Sequence, residues 1–194
     1  ISISRFSGEG WDRDLKGHPM YEEGDFYLSH AERAMVEQVK KYFPKIVVVM
    51  NVGGMVDTEW FCNENAISGV LMAWQGGMEG GTAAAELLCG IGNPSGKLTD
   101  SFAKRLEDYP STDNFHESDA YVDYVEDIYV GYRYFETIPS VAEKVNYPFG
   151  FGLSYTEFDW KICGIEQKDG RFTAKVSVKN IGNVEGKEVI QVYL

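Results

Sequence analysis

Apolar and polar residues alternate from the first position, Ile1-Ser2-Ile3-Ser4, which predicts the last half of a strand running into a loop, Arg5-Phe6-Ser7-Gly8-Glu9-Gly10-Trp11-Asp12-Arg13. A polar stretch follows, Lys16 to Asp25 with Gly17, Pro19 and Gly24, read as a loop flanking the first one. The period then changes to that of a helix. Ser29 and Glu32 form a capping box, Ala31, Ala34, Met35, Val39 and Phe43 lie on one stripe, and Pro44 ends the element. The β-branched run Lys45-Ile46-Val47-Val48-Val49-Met50-Asn51 predicts a strand covered on both faces of a parallel sheet, closed by Gly53-Gly54. A short helical turn from Glu59 to Cys62 leads to a second buried strand, Ala66 to Trp74. After Gly76-Gly77-Met78-Glu79-Gly80-Gly81 comes a small-residue helix, Thr82 to Leu88, ended by Gly90. The order α-β-α-β-α is that of an α/β fold.

Further along, Asn93 to Leu98 reads as a turn, with Pro94 fixing φ, and Leu98 to Ala103 as a short strand. Lys104 to Asp119 is polar and is expected to be an exposed loop reaching another domain. Val125 to Phe135 returns to β character, and the aromatic, glycine-rich stretch Tyr147 to Tyr155 reads as a hinge. Past it the pattern has period two. Phe158, Trp160 and Ile162, then Phe172, Ala174, Val176 and Val178, then Val189, Gln191 and Tyr193 alternate with other residues, and Asp169-Gly170 and Gly182-Asn183 mark turns. About three strands of a β-sandwich are expected where a complete one has about seven. A chain that opens inside a strand and stops inside another reads as cut at both ends.

Composition narrows the function classes. The 194 residues carry a net charge of −12, with acids spread along the chain, which makes nucleic acid and anionic membranes poor partners. No apolar run reaches the roughly 18 residues of a membrane span. The three cysteines, Cys62, Cys89 and Cys163, lie far apart and read as buried thiols, neither a disulfide framework nor a metal site. The three histidines, His18, His30 and His116, lack metal or triad spacing and read as surface residues. The glycine loop before Thr82 invites a phosphate, but it fits neither nucleotide-binding fingerprint, lacks a following Lys or Arg, and would set Glu79 against the phosphate. Its glycines and alanines are explained by close packing of a helix on a sheet.

The candidate chemistry is in the first loop. Glycines on both sides of Glu9 let the backbone turn tightly and present the carboxylate. Arg5, Arg13 and the aromatic residues supply charges and an apolar wall of the kind that tunes an acid. An ordinary solvated Glu on a glycine-rich loop fits the same residues. Asp12 and Asp14 have no scaffold to hold them across a substrate from Glu9 and read as solvated acids.

Several segments taken together resemble one family. Ser7-Gly8-Glu9-Gly10, Asn93-Pro94-Ser95-Gly96-Lys97-Leu98, Tyr129-Val130-Gly131-Tyr132-Arg133-Tyr134 and Pro148-Phe149-Gly150-Phe151-Gly152-Leu153-Ser154-Tyr155 occur in the order and spacing of glycoside hydrolase family 3, the β-glucosidase and β-xylosidase family. The chain departs from the family where it has Gly76-Gly77 for Pro-Gly, Thr99 for a Pro, and Glu126-Asp127 for Glu-Gly. None of these touches the Glu9 loop. The resemblance implies an α/β sandwich domain with a mostly parallel sheet, truncated at its N-terminus, over residues 1–152. It also implies the start of a fibronectin type III-like β-sandwich over residues 153–194.

It further implies a retaining β-glycosidase acting on small β-glucosides or oligosaccharides, with Glu9 as general acid/base. The nucleophilic Asp would lie on a (β/α)8 barrel that these residues do not include. A retaining enzyme needs both carboxyls about 5–5.5 Å apart on one sugar, so the 194 residues alone are expected to be inactive. Trp11 is a candidate to stack on the leaving sugar, or equally a packed Trp. The barrel domain is an expected partner, a homo-oligomer stays open, and no cofactor or metal is implied. A β-xylosidase of the same family and a noncatalytic carbohydrate-binding or adhesion module are the alternatives, and location is left open.

Overall fold

A computed structural model describes residues 1–13, 21–115 and 117–193. Asp14, His18, His116 and residues 16–20 of the 16–25 loop lie outside the described residues. The first strand, β1 (Ser2–Arg5), is an edge of a three-stranded parallel sheet of order β1-β2-β3, with β2 at Ile46–Val52 and β3 at Ile67–Met72. Ser2 pairs with Val49 and Arg5 with Val52, so β1 and β2 end level. Helix α1 (His30–Tyr42) precedes β2, α2 (Glu59–Cys62) separates β2 from β3, and α3 (Gly80–Leu88) follows β3. This is the α-β-α-β-α order that the periodicity predicted.

Burial departs from the prediction in one respect. Ile46, Val48, Met50 and Val52 of β2 are buried, but Val47 is 45% exposed, and the alternation along the strand is that of a sheet packed on one face. Strand β3 is only partly buried. The β-branched run encoded the strand correctly; two-sided cover is a property of neighbours, and among the described residues the core lies on one side. That core joins Ile3, Leu28, Val36, Val56, Phe61 and Phe102 to the inward face of β2.

Helix α1 also sits differently from its apolar stripe. The Ser29 capping box is present, but Ala31, Ala34, Met35 and Phe43 are exposed, and the helix meets the core through Val36 and Val39. Glu32 explains the rotation. Its carboxylate accepts hydrogen bonds from Arg5 Nη1 and Nη2 at 2.7 and 2.6 Å, and Arg5 is buried. Residues 32, 36 and 39 share a helical face, so a charged residue held by a buried arginine sets which side turns inward.

Beyond α3 the expected strand at 98–103 shrinks to β4 (Phe102–Ala103), antiparallel to β5 (Val145–Tyr147). The expected exposed loop from Lys104 onward is instead anchored. Asp108 is buried against Arg105 and Lys144 at 3.0 and 3.4 Å, and Tyr109 accepts from Ala103 N and donates to Ser101 O. The β character read from Val125 to Phe135 is overturned as well. Turns lead to a helix, α4 (Tyr132–Thr137), because Phe135 packs against Tyr109 and Tyr132 stacks on Phe149 at 4.4 Å. Those two aromatics, three apart, suit a helix better than the alternation around them.

Two compact units result, residues 1–84 with 98–151 and residues 85–97 with 152–194. In the second, β6 (Phe158–Lys168) and β7 (Arg171–Asn180) form an antiparallel hairpin. Its turn has Asp169 and Gly170 at φ 51° and 74°, as the favoured two-residue hairpin turn requires. The third expected strand, at 189–193, joins no ladder. The unit is also clasped by Asn93, whose Oδ1 accepts from Ser154 Oγ and Tyr155 N while its Nδ2 donates to Glu185 O. The Asn93 and Ser154-Tyr155 motifs thus meet in a structural contact. None of the cysteines is buried: Cys62 is half-buried, and Cys89 and Cys163 are exposed, the last two because the segments that carry them are themselves largely exposed.

Candidate active site

In a parallel sheet the strands present their carboxyl ends at one edge, where ligands of open α/β folds bind. The Glu9 loop leaves β1 at that edge. Gly53 and Gly54 leave β2 beside it, and the turn through Trp74 and Gln75 leaves β3. Trp11 N donates to Gly8 O at 3.0 Å, and Gly10 has φ +76°, as the third position of a type II turn requires. Glu9 is at the tip and exposed. The glycines therefore do what the sequence predicted of them: they carry a carboxylate out on a tight turn.

The stem of the loop is held from several sides. Gly53 N donates to Arg5 O at 3.3 Å, and Gln75 Nε2 donates to Ser7 O at 3.0 Å. A side chain on Gly53 would bring its Cβ within 2.5 Å of Ser7 Cβ and 2.6 Å of the Gln75 amide, so glycine is required for this approach. Phe6 and Trp11 meet edge to face at 5.6 Å and stay largely exposed, at 55% and 39%.

The arginines take roles the sequence did not foretell. Arg5 points into the core, where Nε donates to Asp25 O at 2.8 Å and the guanidinium grips Glu32. Arg13 Nη1 donates to Phe6 O at 3.0 Å and to Asp25 Oδ2 at 2.7 Å, and its Nε donates to Met55 O at 3.0 Å. Among the described residues neither forms an ion pair with Glu9. Charges close in sequence were expected to tune the acid; each has instead a buried partner from another segment. Asp25, Gly53 and Gln75 carry no local signal of this role, since only the folded chain brings them to the loop.

Elsewhere the titratable groups are structural. Burial alone would raise the Glu32 carboxyl, but hydrogen bonds from Arg5 and Ser29 and the charge of Arg5 outweigh it and hold it below the ordinary value. Burial raises the carboxyls of Asp57 and Asp100. A cavity of about 10 Å³ between Arg5, Phe26, Asp57 and Trp60 holds at most about one water. Asp12 is on the same loop, three positions on and exposed. Among the described residues no cluster of His, Cys, Asp or Glu is grouped to hold a metal ion.

Comparison with known proteins gives the family of the chain. The chain is 55% identical to β-glucosidase A of Butyrivibrio fibrisolvens over its whole length, which is 27% of that protein. It is 45% identical to a β-glucosidase of Ruminococcus albus, covering 99% of the chain and 19% of the relative. The fold superposes on the crystal structure of a β-glucosidase from Paenibacillus barengoltzii with a TM-score of 0.81 and 43% identity, over 93% of this chain and 19% of that one. The chain thus spans about a quarter or less of the proteins it matches. Residues 1–155 match the glycosyl hydrolase family 3 C-terminal domain, and the chain belongs to glycoside hydrolase family 3.

Proposed function

We propose that these residues are part of a retaining β-glucosidase in which Glu9 is the general acid/base. The observation that carries the reading is a carboxylate at the tip of a glycine turn, exposed, at the carboxyl edge of a parallel sheet and with its stem held by Gln75 and Arg13. An acid must reach the leaving oxygen without its loop collapsing onto it, and this turn gives both reach and a fixed base. The second carboxyl of the pair, about 5–5.5 Å away across the sugar, would be an Asp on a (β/α)8 barrel elsewhere in the full protein. Glu9 protonates the departing oxygen as the glycosyl-enzyme forms, then as carboxylate takes the proton of the water that hydrolyses it. Trp11 lies beside the turn with an exposed ring, suited to the apolar C–H face of the leaving sugar. Residues 1–152 would be the α/β sandwich domain and 153–194 the start of a fibronectin type III-like domain, a reading supported by the hairpin and its turn. The relatives' names favour glucose over xylose and an enzyme over a binding module.

The test is Glu9→Ala in the full-length enzyme. Removing the acid is expected to slow hydrolysis of cellobiose, a poor leaving group, by about 10²- to 10⁴-fold. A dinitrophenyl β-glucoside, whose leaving group needs no proton, should still form the glycosyl-enzyme, and azide should restore turnover and release β-glucosyl azide. Equal slowing of both substrates with no azide product would overturn the assignment.

A further inference from the structure

Arg13 follows the Glu9 turn in sequence but is only 10% exposed as a side chain, unlike the residues it follows. Its guanidinium reaches back across the stem to Phe6 O at 3.0 Å, sideways to Met55 O beyond β2 at 3.0 Å, and down to Asp25 Oδ2 at 2.7 Å. Asp25 is 2% exposed and receives two arginines, Arg13 at its carboxylate and Arg5 at its carbonyl. Arg5 is the last residue of β1. One buried aspartate therefore ties residue 5, where the loop leaves the sheet, to residue 13, beyond the turn. The turn between them has glycines on either side of Glu9, so its direction depends on the stem that carries it.

We infer that Arg13, held by Asp25, is a positioning residue that sets where the Glu9 carboxyl stands by fixing the stem of its turn. The inference rests on the reading of Glu9 as the acid/base. Placement matters because proton transfer needs hydrogen-bond reach, and a displacement of about 1 Å can cost about 10²-fold in rate. A lysine keeps the charge at position 13 but presents it as a single point, and cannot bridge the three acceptors that the planar guanidinium reaches.

The experiment uses the full-length enzyme carrying Arg13→Lys and, separately, Asp25→Asn, which keeps the shape of the buried group. The expected result is that kcat/KM for cellobiose falls about 10²-fold while that for 2,4-dinitrophenyl β-glucoside changes less than about 3-fold. The double variant Glu9→Ala with Arg13→Lys should be no slower on cellobiose than Glu9→Ala alone, since two residues acting as one unit do not add. Equal losses on both substrates, multiplying losses in the double variant, or failure of both Arg13→Lys and Asp25→Asn to fold would show that the arginine only supports the fold, and overturn the inference while leaving Glu9 in place. If Glu9→Ala itself shows no leaving-group dependence, the acid/base reading and this inference fall together.

Discussion

Two glutamates of this chain sit in glycine loops at the same edge of the same sheet, Glu9 after β1 and Glu79 after β3, and their surroundings separate them. Glu79 O accepts the first helical hydrogen bond of α3, from Ala83 N at 2.9 Å, so the residue starts a helix, where an acid is favoured by the helix dipole. Glu9 belongs to no helix or strand, and its loop is held by three other segments: Arg13 donates to the Met55 carbonyl and the Asp25 carboxylate, and Gln75 donates to Ser7 O. A carboxylate between glycines is thus accounted for by local structure in one case. In the other the surrounding structure is arranged to hold it out. What separates them is the support beneath the loop, which the Gly-Glu motif does not reveal.

The strongest way to break this comparison is to remove each carboxylate in the full-length enzyme. Glu9→Ala should produce the leaving-group-dependent loss of about 10²- to 10⁴-fold described above, and Glu79→Ala should leave the ratio of cellobiose to dinitrophenyl glucoside turnover unchanged. A comparable selectivity in Glu79→Ala would mean that the acid had been assigned to the wrong loop.

Next in size are changes to the frame beneath Glu9. Gly53→Ala forces a Cβ to within 2.5 Å of Ser7 Cβ and should destabilise the fold by about 1–3 kcal/mol, the usual range for overpacking. Gly54→Ala meets nothing closer than 3.6 Å and is the control. Denaturant midpoints distinguish the two, and equal midpoints would show that Ser7 can move away freely.

Glu32→Gln sharpens the comparison from the other end of the loop. It removes the charge that faces buried Arg5, a hydrogen-bonded charge worth about 1.5–3 kcal/mol. The effect should depend on pH. Because the folded carboxyl titrates below its unfolded value, the unfolded chain takes up protons first as pH falls, so the stabilisation is present above about pH 4.3 and is lost as pH drops through the depressed folded value. Asp108, whose carboxyl burial would raise but Arg105 and Lys144 hold down, acts in the same direction. Asp57 and Asp100 act in the opposite one, since burial raises them. Unfolding midpoints of the wild type and Glu32→Gln across the acid range should therefore converge as pH falls, and parallel curves would contradict the assigned shift.

The smallest effect belongs to Glu79→Gln, expected to cost about 0.3–1 kcal/mol through the helix dipole, with loss of this difference at high salt as the check.

Much of the chain's local structure follows from its sequence alone. The Ser29 capping box, the β-branched run of β2, the turn at Asp169-Gly170 and the tight Gly8-Glu9-Gly10-Trp11 turn are decided by bond rotations and hydrogen bonds within a few residues, so neighbours in sequence suffice to encode them. The family motifs pointed to Glu9 for the same reason, because the turn that presents it is local. Tertiary structure alone decided the rest. Val125 to Phe135, with Tyr129, Val130, Tyr132 and Tyr134, read as β in character, but the packing of Phe135 on Tyr109 and Tyr132 on Phe149 drew its end into a helix. The apolar stripe of α1 lost to an inward Glu32 because a buried cation, Arg5, stands 27 residues away in sequence. Arg13 looked like a neighbour of Glu9 and proved to be the clamp of its loop, since the group that fixes its direction, Asp25, reaches it only after the chain has folded back. Ion pairs between distant segments have no periodicity to read, and here they hold the frame from which Glu9 projects.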